Sequence, residues 1–299
     1  ILNRTASMDI DAMYDDLKKV HTDDYSALFG RVTLDLGTDA SEVEMMTDEL
    51  LAAYKNGSAG TYLETLYFQY GRYLLIASSR ENSLPPNLQG AWSRYNFSPW
   101  GAGYWHNINE QMNYWPAFTT NLAETFESYV NYNKAYMAQA KNNADSVIRN
   151  SFSDQYGKDG GNGWCLGNGF PYEIGGNDSA GNIGFMTELF WDYYLFTQDK
   201  TLLEETVYPT LADAARFITK IMIVDEDGHY LVKRCDSPEQ YVNGEWYYTS
   251  GTTYAQTFAY TNNYHTLLAA KILGKTGTDD SILNTIAEQL DKYDPIKIG

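Results

Sequence analysis

The chain has 299 residues, enough for one large domain or two smaller ones, and 43% of them are hydrophobic, so a real core is possible. Its formal net charge of −18 argues against nucleic acid and against acidic polymers as partners, because phosphate binding needs clustered Lys and Arg, while a neutral glycan stays compatible. No apolar run approaches the length of a membrane span, and with only Cys165 and Cys235 a disulfide-built scaffold is excluded.

In chain order, Ser7 to Val20 predicts a short helix with Ser7 as cap, and Asp23 to Phe29 adds another turn. Arg31 to Leu36 alternates Val32, Leu34 and Leu36 and predicts a strand, although one strand without a partner cannot be stable. Ser41 to Tyr54 predicts a helix stopped at Asn56-Gly57. Thr61-Tyr62-Leu63-Glu64 is a capping-box pattern that opens a helix with Leu63, Leu66, Tyr67, Tyr70, Tyr73 and Leu74 at helical spacing. Pro85-Pro86 starts a long aromatic loop, and a helix begins over Gln111 to Trp115, interrupted by Pro116.

Asn121 with Glu124 is a second capping signal, followed by a helix to about Asn150. Ser151 to Asn182 reads as a Gly/Asn/Asp-rich loop carrying Trp164, Phe170 and Tyr172, of a length that is often functional. Helices follow over Ile183 to Phe196 and Thr201 to Met222, then a small hairpin over Asp225 to Arg234 around Asp227-Gly228. The last helices are Ser250 to Leu273, with Gly274 just past its end, and Asp279 to Leu290. The rhythm is all-α, with long loops gathered at one end. Periodicity does not tell a helical toroid from a bundle, nor whether Cys165 and Cys235 pair.

One stretch stands apart. Asn96 to Phe118 holds three tryptophans, Trp100, Trp105 and Trp115, among the amides Asn107, Asn109, Gln111 and Asn113. Ring faces interleaved with neutral amides suit a sugar, which offers apolar CH faces and hydroxyls that both donate and accept. The bland alternative is core aromatics and turn-forming asparagines. With the upstream run Tyr67 to Trp92, the stretch resembles glycoside hydrolase family 95, a family of inverting α-L-fucosidases and some α-L-galactosidases.

That resemblance implies a partial (α/α)6 toroid. It makes residues 1–60 connector helices and one strand from a preceding β-sandwich, with HTDDYSALFGRVTLDLG as the similar wording, and residues 61–299 the N-terminal part of the catalytic domain. The chain then reads as an incomplete piece, inactive by itself, of a secreted, periplasmic or cell-surface bacterial protein.

Glycoside hydrolysis needs a proton donor, whose pKa must be raised, and an activated water. Glu239 stands out by its setting, after the hairpin and in the proline-fixed run Cys235-Asp236-Ser237-Pro238-Glu239-Gln240. The family's Ser-Pro-Glu motif matches Ser237, Pro238 and Glu239, which implies that Glu239 is the general acid. The family's Asn-x-Asn pattern matches Asn107-Ile108-Asn109, which implies that these two carboxamides hold the attacking water with help from an aspartate. For inversion the acid and the water-activating group stand roughly 6.5–9.5 Å apart.

The pocket wall is expected from Trp100, Trp105, Trp115 and Trp164, with His106 beside them. The sequence departs from the family in three places. Trp105 stands where relatives often carry a histidine, with His106 one place off; Ala255 stands where they tend to have an aspartate; and the partner aspartate lies beyond a segment resembling Asp294 to Gly299. No local acid such as Asp178 is promoted into its place.

His21, His106, His229 and His265 are scattered and read as loop or helix-surface residues, so no metal and no cofactor are expected. The expected partner is an oligosaccharide or glycoconjugate substrate, with no nucleic acid and no membrane insertion; the sequence is silent on oligomeric state. Two other readings stay open: another helical-toroid enzyme such as a polysaccharide lyase, and a non-catalytic glycan-binding relative.

Overall fold

The computed structural model describes residues 9–37, 39–158, 161–170, 175, 179–275 and 281–294. The first helix, α1, runs unbroken over Ile10–Phe29, so the predicted helix and its extra turn are one element. Asp9 caps it, its side chain accepting from the amide of Asp11 at 3.2 Å; Ser7 lies outside the described residues.

The end of α1 leaves carbonyls without helical partners. Arg72, 2% exposed, collects them: Nη2 donates to the carbonyl of Leu28 at 3.2 Å, and Nη1 to those of Phe29 at 2.8 Å and Val32 at 3.1 Å. The predicted strand over Arg31 to Leu36 therefore does not form. Its carbonyl at Val32 is taken by a guanidinium, and no strand among the described residues lies beside it.

The predicted helix over Ser41 to Tyr54 is split into α2, Ala40–Val43, and α3, Thr47–Lys55. Glu42 is diverted to the next helix, α4, Tyr62–Ser78, where its carboxylate accepts from the amides of Gly60 and, at 3.2 Å, of Tyr62. This replaces the predicted capping box. The Thr61 hydroxyl instead donates to the carbonyl of Leu36 at 2.9 Å, and Glu64 accepts from the Tyr54 hydroxyl at 2.7 Å. α4 buries Arg72, Leu75 and Ile76, and leaves Tyr67, Tyr70 and Tyr73 exposed.

Helix α5, Asn109–Thr119, continues through Pro116. A helix-interior proline costs about 3 kcal/mol, whereas burying a large apolar side chain returns about 1.5–3 kcal/mol each. Tyr114, Ala117 and Phe118 are all buried around it, so the helix holds. A 3₁₀ turn, Ala123–Phe126, leads into α6, Glu127–Ser151. Glu124 makes no cap here; it pairs with Arg31 at 2.6 Å.

Two short strands went unread in the sequence. β1, Tyr104–Trp105, pairs antiparallel with β2, Gly169–Phe170, out of the long loop. Helix α7, Ser179–Thr197, follows, then a π-helical stretch, Leu203–Val207, and α8, Tyr208–Ile218. The predicted hairpin forms, with β3, Met222–Val224, against β4, Tyr230–Val232, and Gly228 at φ 88° in the turn. A second hairpin joins β5, Tyr241–Val242, to β6, Glu245–Trp246, through Asn243-Gly244 at φ 54° and 82°. That is the dipeptide a two-residue hairpin turn requires. α9, Thr253–Ile272, and α10, Ser281–Asp291, complete the described chain.

α7 is the central post. Most of its residues are buried, and α5, α8 and α9 all pack against it. Its glycines let α9 come close: a Cβ on Gly181 would sit 2.2 Å from the Tyr254 ring, and one on Gly184 would sit 2.1 Å from the carbonyl oxygen of Phe258. Two apolar clusters flank this contact. One gathers Phe118, Phe126, Phe190 and Leu211; the other gathers Trp164, Ile183, Phe217 and Val232. Cys165 and Cys235 are buried in the second and form no disulfide.

Alanine is the better helix former by about 1 kcal/mol, yet at position 184 its methyl would meet backbone that cannot rotate away. Gly184→Ala should therefore lower unfolding stability by about 1–3 kcal/mol, read as a reduced urea midpoint at unchanged m-value. A midpoint at or above that of the wild type would refute the close contact.

Candidate active site

The first wall of the site is built between β1 and α5. The amide of His106 donates to the carbonyl of Asn168 at 2.8 Å, extending the β1–β2 pair by one bond. Gln111 closes the bend, its Nε2 donating to the carbonyl of His106 at 2.6 Å. The His106 ring is thereby turned inward, fully buried and edge-on to Tyr129 at 6.0 Å. Burial holds its pKa down at about 3, against the pull of the backbone at Tyr104 and Asn168, so it is neutral. His106 is thus a core residue and not a lining or surface residue.

Asn107 and Asn109 point the other way. Asn107 is buried to 9% exposure and Asn109, the first residue of α5, is half-buried. The N-cap of α5 is Ile108 and carries no side-chain cap bond, so neither asparagine caps the helix. Both line a cavity of about 640 Å³. Carboxamides at a cavity wall offer paired donors and acceptors to whatever enters it.

The second wall is the loop from β4 to α9. Cys235 and Thr249 exchange backbone bonds at 2.7 and 3.0 Å. Thr252 accepts from the amide of Ala255 as the cap of α9, and its hydroxyl donates to the carbonyl of Asp236 at 2.6 Å. Ser237 to Gln240 is then a tight turn, closed by Gln240 N–H to the carbonyl of Ser237 at 2.9 Å. Glu239 stands on that turn, exposed, and lines the same cavity as Asn107 and Asn109. The residues 107, 109 and 239 are distant in sequence and meet at one hollow.

Of the expected aromatic walls, Trp100 and Trp105 line the cavity, and Trp105 packs against Gly169, where a Cβ would come within 3.0 Å of the indole. Trp115 does not line it; it stands half exposed on the other side of α5, 6.1 Å from Phe185. Trp164 is a correction of the same kind. It is fully buried in the second apolar cluster, with Nε1 donating to the carbonyl of Thr210 at 3.0 Å. Trp164 follows the ordinary rule that a large ring serves the core first, while Trp115 stays on the surface. Ala255 is buried in that same cluster and does not line the cavity.

Sequence reading missed Asn168, Asp236, Tyr241, Trp246 and Tyr248, which also line the cavity. The missed signal is Asn243-Gly244: a two-residue hairpin turn there places Tyr241 and Trp246 directly beside Glu239. Trp246 Nε1 donates to Asp236 Oδ2 at 2.7 Å, and Tyr241 packs edge-on against Trp246 at 4.8 Å.

Behind the asparagine wall lies Glu110, fully buried among tyrosines, with neither carboxyl oxygen hydrogen-bonded among the described residues. Burial pushes its pKa well above the ordinary carboxylate range. A larger groove of about 820 Å³ runs along the exposed tyrosines of α4 and shares Gln89 with the cavity, but no carboxylate, Lys, Arg or His lines it, so it has no acid for hydrolysis. Asp225, Asp227 and His229 bring ligand atoms within 4.8 Å of one another at the β3–β4 turn. There the carboxylate of Asp225 is already used by the amides of Asp227 at 3.0 Å and His229 at 2.8 Å, and none of the three lines the cavity.

An all-α scaffold whose acid-bearing cavity is walled by indoles and carboxamides has the chemistry of a sugar site. Comparison with known proteins agrees. Residues 13–299 match the model of the glycosyl hydrolase family 95 catalytic domain, and the chain belongs to that family. It is 32% identical over 311 residues to "Probable alpha-fucosidase A" of Aspergillus niger, covering 99% of this chain and 37% of that protein. It is 30% identical over 304 residues to "Alpha-L-fucosidase 2" of Arabidopsis thaliana, covering 96% of this chain and 34% of that one. The chain thus spans about a third of the length of these relatives. In fold it resembles "Putative kojibiose phosphorylase from human microbiome", with a TM-score of 0.53 at 13% identity over 76% of this chain and 33% of that one. A likeness at that identity speaks for the all-α fold alone.

Because the folded chain holds the Glu110 proton more tightly than the unfolded chain does, this group's stabilising share is complete below the unfolded value near 4.5 and is lost as pH rises through the raised folded value. Glu110→Gln removes that dependence. The variant should gain on the wild type from about pH 5 upward, by at most about 1.4 kcal/mol per pH unit, measured by urea unfolding at several pH values. A difference that does not change with pH would contradict the buried, unpaired carboxyl.

Proposed function

We propose that the chain carries the acid and water-positioning parts of an inverting exo-glycosidase that removes terminal α-L-fucosyl, or α-L-galactosyl, residues from glycans. The observation that carries this reading is the convergence of Glu239, Asn107 and Asn109 on one hollow. Glu239 donates its proton to the leaving glycosidic oxygen. Asn107 and Asn109 hold the attacking water, their carbonyls accepting its hydrogens while a carboxylate supplies the basicity that an amide lacks.

Three further features support the reading. The cavity volume of about 640 Å³ suits a terminal sugar with part of its leaving group. Trp100, Trp105 and Trp246 supply ring faces for the CH-rich side of a pyranose. The alpha-fucosidase names belong to relatives that match nearly the whole chain.

The lyase alternative fits poorly. Lyases act on uronic acids, whose carboxylate must be neutralised, and among the described residues the cavity is lined by Asp236 and Glu239 with no Lys, Arg or His. A like charge would be repelled.

In the full-length protein, Glu239→Gln should reduce turnover of a nitrophenyl α-L-fucoside by at least about a thousandfold, while sugar affinity stays within a few-fold. Asn107→Ala or Asn109→Ala should each lower kcat by about a hundredfold or more. Wild-type turnover in Glu239→Gln would remove the glutamate from its role. A β-configured sugar as first product, seen by ¹H NMR, is the mark of inversion; an α-configured first product would exclude it.

A further inference from the structure

Asp236 has a setting unlike that of a surface acid. It is buried to 7% exposure and lines the cavity. Its backbone is pinned from one side by the Thr252 hydroxyl, at 2.6 Å, at the amino end of α9. Its carboxylate is oriented from the other side by the indole of Trp246, at 2.7 Å, on β6. Trp246 is itself braced by Tyr241 across the Asn243-Gly244 hairpin. A carboxylate withdrawn from water is costly unless it is held and hydrogen-bonded. Here an indole N–H donates to the carboxylate itself, and the bond from Thr252 fixes the backbone that carries it.

The same construction limits what Asp236 can do. It leaves the same loop as Glu239, three residues earlier, whereas the water-holding carboxamides come from the β1–α5 bend. A base for inversion must act on the sugar face opposite the acid, so a group sharing the acid's loop is on the wrong side for it. What a fixed carboxylate in an otherwise neutral amide-and-indole wall does well is accept protons from hydroxyls. A carboxylate has room for about four hydrogen bonds, so being held by the indole is compatible with receiving a sugar hydroxyl.

Resting on the glycosidase reading above, we propose that Asp236, oriented by Trp246, is the hydroxyl-binding residue of this cavity: it accepts protons from a vicinal pair of hydroxyls on the terminal neutral sugar and sets which sugars are retained. A carboxylate accepts such protons more strongly than an amide does, and it gives nothing to a sugar lacking the hydroxyl. Trp246 is the positioning residue in this arrangement, acting through Asp236.

The test is binding of L-fucose and its 2-, 3- and 4-deoxy analogues to the full chain, by calorimetry, for wild type, Asp236→Asn and Trp246→Phe. Asp236→Asn should weaken L-fucose binding by about tenfold or more, the worth of one charge-assisted hydrogen bond. More telling, two adjacent deoxy positions that cost affinity in the wild type should cost nothing further in Asp236→Asn. A protein damaged only in its structure would lose affinity for all four sugars alike. Trp246→Phe should weaken L-fucose by about three- to tenfold with the same flattening of the deoxy profile, and it serves alone if Asp236→Asn does not fold.

Unchanged affinity, or a deoxy profile identical to wild type in the variants, overturns the proposal. So does a kcat loss of about a thousandfold at unchanged affinity in Asp236→Asn, which would make the residue catalytic. Glu239→Gln separates the two readings. If it keeps wild-type turnover, the general-acid role falls and the deoxy profile still decides Asp236. If the wild-type chain binds neither L-fucose nor L-galactose, both fall together.

Discussion

The close approach of α7 and α9 is the constraint on which the rest of the molecule depends. At Gly184 a helix backbone lies against the carbonyl of Phe258 with no side chain between them, and at Gly181 the Tyr254 ring fills the same gap. Tyr254 then donates to Asn182 at 2.9 Å, locking the register of the pair. α5 packs on another side of α7. The asparagine wall begins α5 and the acid-bearing loop is tied to the start of α9 through Thr252, so helix packing sets the width of the cavity between them. Two short loops distant in sequence are thereby carried by helices that share one post.

The electrostatics of the hollow follow from what is kept neutral behind it. His106 is buried and uncharged, and Glu110 is driven toward its protonated form by the same loss of solvent. The imidazole lends no charge to the adjoining carboxamides, and burial works against a charge on the Glu110 carboxyl. The ionisable carboxylates at the cavity are Asp236 and Glu239, which differ in setting: the first is buried and held by an indole, the second exposed on a tight turn. Two carboxyl groups at one cavity thus sit in unlike surroundings, the physical condition under which neighbouring acids come to differ in behaviour.

Trp105 and His106 are adjacent in sequence and end in different surroundings. Trp105 presents an indole that packs against Gly169 and lines the hollow, while the neighbouring imidazole is turned into the core against Tyr129. An indole offers a ring face and one donor where an imidazole offers a donor and an acceptor. The carboxylate of Asp236 stands on the same wall as that indole.

What the sequence determined by itself was local. Spacing placed the helices over Tyr62–Ser78, Ser179–Thr197 and Thr253–Ile272 to within a few residues, and Asp227-Gly228 placed the β3–β4 turn. The family wording singled out positions 107, 109 and 239, which line one hollow in the structure.

Tertiary structure decided everything that depends on a distant partner. Arg72 reaches the end of α1 across 44 residues of chain and dissolves the alternating strand pattern at Val32, and Glu42 rather than the capping box receives the amides that open α4. Trp164 and His106 went to the core although they look like pocket residues, and Asp236 and Trp246 reached the pocket with only the Asn243-Gly244 turn to hint at it. The reason is that periodicity reports which face of an element is apolar, whereas burial at a given residue depends on which other element arrives to cover it, and that is settled only when the helices pack.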